Sequence, residues 1–330
     1  MKNLAIIGGG SWGTALSVHL GRQGVPVRLW VREAEIVDAI ARTRRNAWYL
    51  SDVELPAAVR ATGDLAEALD GADLVTIAVP SEFVAGLLKN LGPLPPDVPI
   101  VSATKGLDPE SHLRMTELIG TRFPGAPLAA LSGPTFAREV ALGLPTACVV
   151  ASADEAVARR LQERLGSREF RLYTNRDVVG VEIGGALKNV IAIATGLADG
   201  LELGQNARAA LITRGLAEIT RLGITLGAAP ATLAGLAGVG DLVLTCTGGL
   251  SRNRALGMAL AQGRTQAAVE GESRMIAEGA RTVTSALALA ERHRVGLPIC
   301  TEVGAVLFEG KPPATALAAL LGRATRSEDG

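Results

Sequence analysis

The 330-residue sequence is poor in the residues that make metal sites and crosslinks, with three cysteines and three histidines. Cys148, Cys246 and Cys300 are odd in number, widely spaced and without a CxxC pair. That pattern excludes a disulfide framework and a zinc motif, and suits a reducing compartment. A metal site built on three histidines is equally disfavoured, so no metal is expected. Neither charge is in excess: 33 basic side chains cancel 33 acidic ones. No global field therefore recruits nucleic acid or an anionic membrane, and any anionic ligand must be held by local groups. Long hydrophobic runs are also missing. The longest uncharged stretch, Leu222 to Gly240, contains five glycines and Pro230, too little hydrophobicity for a bilayer span, so membrane insertion is not expected. The start, MKNLAIIGGGSWG, reads as a strand and a loop because glycines interrupt its apolar run and no small-residue cleavage site follows. A cytoplasmic protein is the expectation. What remains, 48% hydrophobic and 20% charged residues, describes a globular chain long enough for two domains with a sizeable core.

In the first half, short β-branched runs alternate with amphipathic segments. NLAIIG (3–8), VPVRLWV (25–31), DLVTIAV (73–79), PIVSAT (99–104), PLAALS (127–132) and TACVVAS (146–152) read as strands. Amphipathic stretches such as Ala34 to Arg42 and Ser111 to Arg122 separate them. The rhythm predicts an α/β N-terminal Rossmann-type, doubly wound parallel sheet with helices on both faces over residues 1–178. Ligands of such sheets lie at the carboxyl ends of the strands.

The first of these ends carries Gly8, Gly10 and Gly13 in a GxGxxG pattern, with a helical stretch from Trp12 to about Leu20. Side chains at those glycines would block the tight turn and the approach of a pyrophosphate to the helix N-terminus. The strand before and the helix after give the motif its dinucleotide-binding context; a plain glycine-rich turn is the alternative. At the end of the second strand stands Arg32, 19 residues after Gly13, followed by Glu33. An arginine suits the 2′-phosphate of NADPH through charge-assisted hydrogen bonds. In the other reading Arg32 is a solvated turn residue and Glu33 binds the ribose of NADH.

Later strand ends present Lys105 in TKGL and Gly133, Pro134 and Thr135 in LSGPTF. Position alone leaves these open between a site and ordinary loop residues. Beyond Asp177 the period becomes helical, and a mostly α-helical C-terminal domain is predicted over 179–330, built around Ile183 to Ala198. There Lys188 shares a helix face with Gly184, Gly185, Ala192 and Thr195. Its side chain leans over the glycines, which leaves either open space for a ligand or a seat for a packing helix with the lysine at its rim. In the stretch 235–257, Gly238 and Gly240 allow a turn before Asp241, and Gly248 and Gly249 precede Ser251, an N-cap for a helix starting at Arg252. A capped helix N-terminus with Arg252 and Asn253 suits a phosphate; a capped helix with a solvated arginine face is the alternative.

Together, GGGSWGTAL, ATKGL, LSGPTFAREVALGLPTA, VVGVEIGGALKNVIAIATGLADGL, NARAALITRGLAEITRLG and GLAGVGDLVLTCTGGLSRNRALG resemble bacterial NAD(P)-dependent glycerol-3-phosphate dehydrogenases. The likeness runs in order from residue 4 to about 320. It implies interconversion of dihydroxyacetone phosphate and sn-glycerol 3-phosphate, feeding phospholipid synthesis, with NADPH as coenzyme and NADH also admissible; a homodimer is compatible with it. Carried over residue by residue, it makes Lys188 the proton donor and acceptor. Substrate contacts fall on Lys105, Gly133, Thr135, Asp241, Ser251, Arg252 and Asn253. Coenzyme contacts beyond Gly8, Gly10 and Gly13 fall on Ser11, Trp12, Arg32, Tyr49, Lys105, Ala137, Arg252, Ile276 and Glu278. Thr135 departs from the more usual serine but keeps the hydroxyl.

In ketone reduction the carbonyl oxygen gains a proton, so a cationic donor beside it stabilises the developing alkoxide and then protonates it. For the reverse reaction a lysine at about 10.4 is a poor base. Burial and Lys105 would lower Lys188, whereas the substrate phosphate and Asp241 would raise it, and the sequence leaves the balance open. Two other functions fit part of the pattern. A β-hydroxyacid dehydrogenase shares the two-domain plan but selects a carboxylate and has no use for SRNR; an NADP(H) sensor keeps the glycine loop and Arg32 but has no use for Lys188.

Overall fold

The computed structural model describes residues 3–272 and 277–324. Ten strands are present among them: β1 (Asn3–Ile7), β2 (Val27–Trp30), β3 (Arg45–Asn46), β4 (Leu50–Glu54), β5 (Val59–Thr62), β6 (Ala72–Ile77), β7 (Ile100–Ser102), β8 (Leu128–Ser132), β9 (Thr146–Ala151) and β10 (Phe170–Asn175). Eight of them form one sheet in the order β10-β9-β8-β7-β6-β1-β2-β5, while β3 and β4 make a separate hairpin. The order reverses at β1, with β2 on one side and β6 on the other, which opens a crevice at the carboxyl end of β1.

The all-parallel expectation needs correction at one junction, because β8 and β9 pair antiparallel. The connection between them holds only the short helix Ala137–Leu142. A helix of that length cannot carry the chain back along the sheet for a parallel return. By contrast, the longer helix Glu155–Leu165 lets β10 lie parallel to β9. Two sheet strands, β5 and β10, have no counterpart in the sequence reading. They are the two edges of the sheet, and each buries only alternate or terminal residues, such as Phe170 and Leu172 in β10. An edge strand covered on one face needs no continuous apolar run, and that run was the signal for the others.

The C-terminal half is helical around Val178–Gly200, a 23-residue helix that is buried from Gly180 to Ala198. Its apolar residues run all round it, as a helix enclosed by others requires. Among the described residues two segments, Val178–Gly200 and Pro230–Thr247, are long and apolar enough to cross a membrane; 89% of the former's most apolar window is packed inside the protein. The helix Arg252–Ala261 comes so close that a Cβ on Gly196 would lie 2.1 Å from the Arg254 carbonyl oxygen. Ile183, Leu187, Val190, Ile191, Leu222, Leu233, Leu256, Val283 and Val303 share one buried cluster, distinct from the clusters on the two faces of the sheet.

Candidate active site

At the end of β1 the chain turns through Gly8, at φ 128°, into the helix Ser11–Arg22. A Cβ at Gly8 would meet the Ala78 carbonyl oxygen at 2.6 Å, and one at Gly13 would meet the Gly8 carbonyl oxygen at 1.9 Å. Both positions therefore require glycine for backbone-to-backbone contact. Gly10 differs: nothing lies within 4 Å of an added Cβ, and the helix it caps has no side-chain cap. The uncapped N–H groups of the first turn thus face an open approach, the arrangement a pyrophosphate needs. Ser11 Oγ donates to the Tyr49 carbonyl oxygen at 3.1 Å. Trp12, Tyr49 and Ala137 all pack against the same core cluster, and the Trp12 indole N–H is buried without a hydrogen-bond partner among the described residues. Asn46, which drew no notice in the sequence, ties this loop down. Its amide donates to the Gly9 carbonyl oxygen and to Thr14 Oγ1, both at 2.8 Å, and its Oδ1 accepts from the Trp48 and Tyr49 amides.

Arg32 projects from the end of β2 with its side chain 64% exposed. Its guanidinium donates to Glu33 Oε1 and lies 5.4 Å from the Phe83 ring centroid. An exposed planar cation there can grip a phosphate bidentately.

The two lysines meet at one carboxylate. Lys105, just past β7, donates to the Gly133 carbonyl oxygen at 2.7 Å, to Thr135 Oγ1 at 2.9 Å and to Asp241 Oδ2 at 2.8 Å. Lys188 Nζ lies 3.0 Å from Asp241 Oδ1 and donates to Thr245 Oγ1 at 2.8 Å. Asp241 is 1% exposed and Lys188 5% exposed, so this carboxylate joins two cations, one from each half of the chain, with its contact to Lys188 shut off from bulk water and Lys105 partly buried. Thr245 stands four residues after Asp241 on the same helix, Asp241–Thr247, and its hydroxyl in turn donates to the Asp241 carbonyl oxygen at 2.6 Å.

Burial, with a smaller push from Lys105, brings Lys188 down from 10.5 to about 8 against the opposing pull of Asp241. The balance left open by the sequence falls on the side of desolvation. An ammonium near 8 can exist in both protonation states close to neutrality, which general acid and base work requires.

The glycines beside Lys188 do not leave the open space anticipated in one reading of the sequence, nor does the lysine escape to a rim. A Cβ on Gly184 would meet the Ala237 carbonyl oxygen at 2.7 Å, and one on Gly185 would meet Ser132 Oγ at 2.5 Å. They are the seats where the π-helical turn Leu236–Gly240 and the end of β8 come down on the central helix. That π-helical turn itself depends on Gly238, whose Cβ would lie 1.8 Å from the Leu233 carbonyl oxygen. The close approach is what delivers Asp241 to Lys188.

Ser251 caps the helix Arg252–Ala261, accepting from the Arg254 amide at 3.2 Å. Arg252 is exposed and makes no ion pair among the described residues, whereas Arg254 is tied to Asp199 at 2.6 Å. Asn253 is turned inward: its amide donates to Asn189 Oδ1 and its Oδ1 accepts from the Gly279 amide, both at 2.9 Å. Asn189 extends the chain by donating to the Lys105 carbonyl oxygen at 3.1 Å. Thus the helix bearing Lys188, the loop bearing Lys105 and the helix bearing Arg252 are locked to one another. Sequence reading missed Asn189 and Thr245 in this network, although LKN and an i, i+4 pair after Asp241 were visible. Burial holds Glu278 above the ordinary carboxylate range, opposed by the charges of Arg252, Lys188 and Lys105 and by the Ser81 amide. Glu278 is therefore within electrostatic reach of all three cations. Ile276 lies outside the described residues.

Comparison with known proteins follows the same two halves. The family model for the N-terminus of NAD-dependent glycerol-3-phosphate dehydrogenase matches residues 3–158, and that for its C-terminus matches residues 177–318. Glycerol-3-phosphate dehydrogenase [NAD(P)+] from Koribacter versatilis is 51% identical over 99% of both chains. The protein of that name from Geobacter sulfurreducens is 50% identical, again over 99% of each. The crystal structure of glycerol-3-phosphate dehydrogenase from Coxiella burnetii superposes with a TM-score of 0.93 at 41% identity, covering 98% of this chain and 99% of that one.

Proposed function

Because the chain belongs to the NAD-dependent glycerol-3-phosphate dehydrogenase family, we propose that the Lys105–Asp241–Lys188 cluster is where its chemistry takes place. The enzyme reduces dihydroxyacetone phosphate to sn-glycerol 3-phosphate, reversibly, with a nicotinamide coenzyme. One observation carries the assignment of residues: a single buried carboxylate holds two lysines from the two halves of the chain.

The residues at the N-terminal loop fit a dinucleotide. Gly10 leaves the space a pyrophosphate would fill, at a helix start that no side chain caps. Trp12, Tyr49 and Ala137 line that end of the fold, and Arg32 would hold a 2′-phosphate, which favours NADPH over NADH. When bound, the coenzyme supplies hydride to the ketone carbon. Lys188 polarises the carbonyl oxygen and gives it a proton, and in the reverse direction takes that proton back. Asp241 keeps Lys188 oriented and shares its charge with Lys105, which is fixed by Gly133 and Thr135. Arg252 and the capped helix start at Ser251 and Asn253 receive the substrate phosphate. Glycerol 3-phosphate made here would supply glycerophospholipid synthesis.

The experiment is an absorbance assay of NADPH and NADH consumption with dihydroxyacetone phosphate, with a β-keto acid and with neither. Turnover only with the phosphate ester is expected. Turnover of the β-keto acid at a comparable rate would refute the phosphate-binding role.

A further inference from the structure

We propose that Glu33 sets the enzyme's discrimination between NADPH and NADH, by neutralising Arg32 and by accepting the ribose hydroxyls when no 2′-phosphate is present. The proposal rests on the reading of Arg32 as the 2′-phosphate ligand. Glu33 occupies the N-cap position of the helix Ala34–Thr43, yet its side chain makes no capping hydrogen bond to that helix. It is turned instead to Arg32, whose Nε and Nη2 both donate to the one oxygen Oε1, at 3.1 and 2.7 Å. The second carboxylate oxygen is not used by the pair. The Glu33 side chain is only 20% exposed against 64% for Arg32, so the acid is the fixed partner and the arginine the movable one. Phe83 lies beneath the guanidinium at 5.4 Å, which keeps it near the strand end in either role.

The charge arithmetic at this strand end then differs from that of a site built for one coenzyme. Arg32 and Glu33 sum to zero, so a 2′-phosphate meets a cation already engaged by a carboxylate, and it also meets that carboxylate's repulsion. A coenzyme without the phosphate meets an oriented acid at the place where an acid takes ribose hydroxyls. One pair of adjacent residues thus serves both coenzymes, and Glu33 limits the preference that Arg32 alone would impose.

The test measures coenzyme dissociation constants and kcat/KM for NADPH and NADH in the full chain, comparing wild type with Glu33→Gln, Arg32→Ala and the double variant. Because Arg32 is largely exposed, releasing it should tighten NADPH by only about fivefold in Glu33→Gln. Loss of the charged acceptor should weaken NADH about tenfold. The NADPH-to-NADH preference therefore rises roughly fiftyfold. In the Arg32→Ala background the NADPH gain should shrink while the NADH loss persists. If Arg32→Ala leaves NADPH binding unchanged, the Arg32 reading fails and this proposal with it. If Arg32→Ala weakens NADPH but Glu33→Gln leaves both coenzymes as in wild type, the Glu33 proposal alone fails. Equal weakening of both coenzymes by Glu33→Gln would mark a local structural role, and weaker NADPH binding would show that Glu33 assists the phosphate; either result overturns it.

Discussion

Replacing Asp241 with asparagine should move the pH dependence of the reaction toward acid. Its Oδ1 is 3.0 Å from Lys188 Nζ and its Oδ2 is 2.8 Å from Lys105 Nζ. At an effective dielectric of about 20, unit charges at that separation attract by roughly 5 kcal/mol. The carboxylate is shared between two lysines and asparagine keeps a dipole, so about half of that acts on Lys188. At about 1.4 kcal/mol per pH unit this is a fall of about 2 pH units. Lys188, brought to about 8 by burial in the wild type, would then titrate near 6 in the variant. The sign follows from the roles. On the proposed assignment reduction uses the protonated lysine, so its kcat/KM should be sustained below the lysine's pKa and lost as pH rises through it. Oxidation uses the neutral lysine and gains over the same range. At about pH 7.5 reduction by Asp241→Asn should fall roughly 25-fold from the change in protonated fraction, and should recover on acidification toward about pH 5. Profiles of kcat/KM in both directions report the free enzyme's groups, with coenzyme binding measured alongside. An alkaline limb that stays near 8 in Asp241→Asn would refute the coupling, as would a loss of activity that acid does not restore.

Lys188→Ala should abolish turnover while NADPH binding, followed by fluorescence or calorimetry, stays within a few-fold of wild type; near-normal rates would remove Lys188 from the chemistry. For Arg252→Ala the expected change is a rise of about 100-fold in KM for dihydroxyacetone phosphate, from loss of a charge-assisted phosphate contact. An unchanged KM would place the phosphate elsewhere. Gly196→Ala should lower stability by about 2–4 kcal/mol, because its Cβ falls 2.1 Å from the Arg254 carbonyl oxygen and only backbone movement can relieve that contact. Thermal unfolding should then shift down by roughly 5–10 °C, and an unaltered midpoint would show that the two helices can separate without cost.

How much was legible depended on whether a residue's role was local. The glycine turn at Gly8–Gly13 was readable from its spacing between a strand and a helix, and the Ser251 cap from neighbours within a few positions, although Gly8 also answers to the distant Ala78 carbonyl. The strands with both faces covered announced themselves as apolar runs, whereas β5 and β10, at the sheet edges, did not. Asn46 was invisible for a different reason. Its partners Gly9 and Thr14 are more than thirty positions away, and a lone asparagine before an exposed tryptophan carries no pattern. Gly184 and Gly185 were noticed, but their use was not decided, since nothing in GGALKN says whether a neighbour or a ligand fills the space.

The sequence by itself determined the two-part plan and the dinucleotide turn, because periodicity, motif spacing and capping act over short distances; at Lys188 local geometry left two readings, and only the family resemblance singled that lysine out. Tertiary structure decided the chemistry of that lysine. Lys105, Asp241 and Lys188 are separated by scores of residues, and their energies depend on separations of about 3 Å and on how much water is excluded. Close approach at Gly184 and Gly238 brings the acid to the lysine, and burial then brings the ammonium to about 8. Electrostatic strength depends on distance and desolvation, and both are properties of the folded arrangement, not of position along the chain.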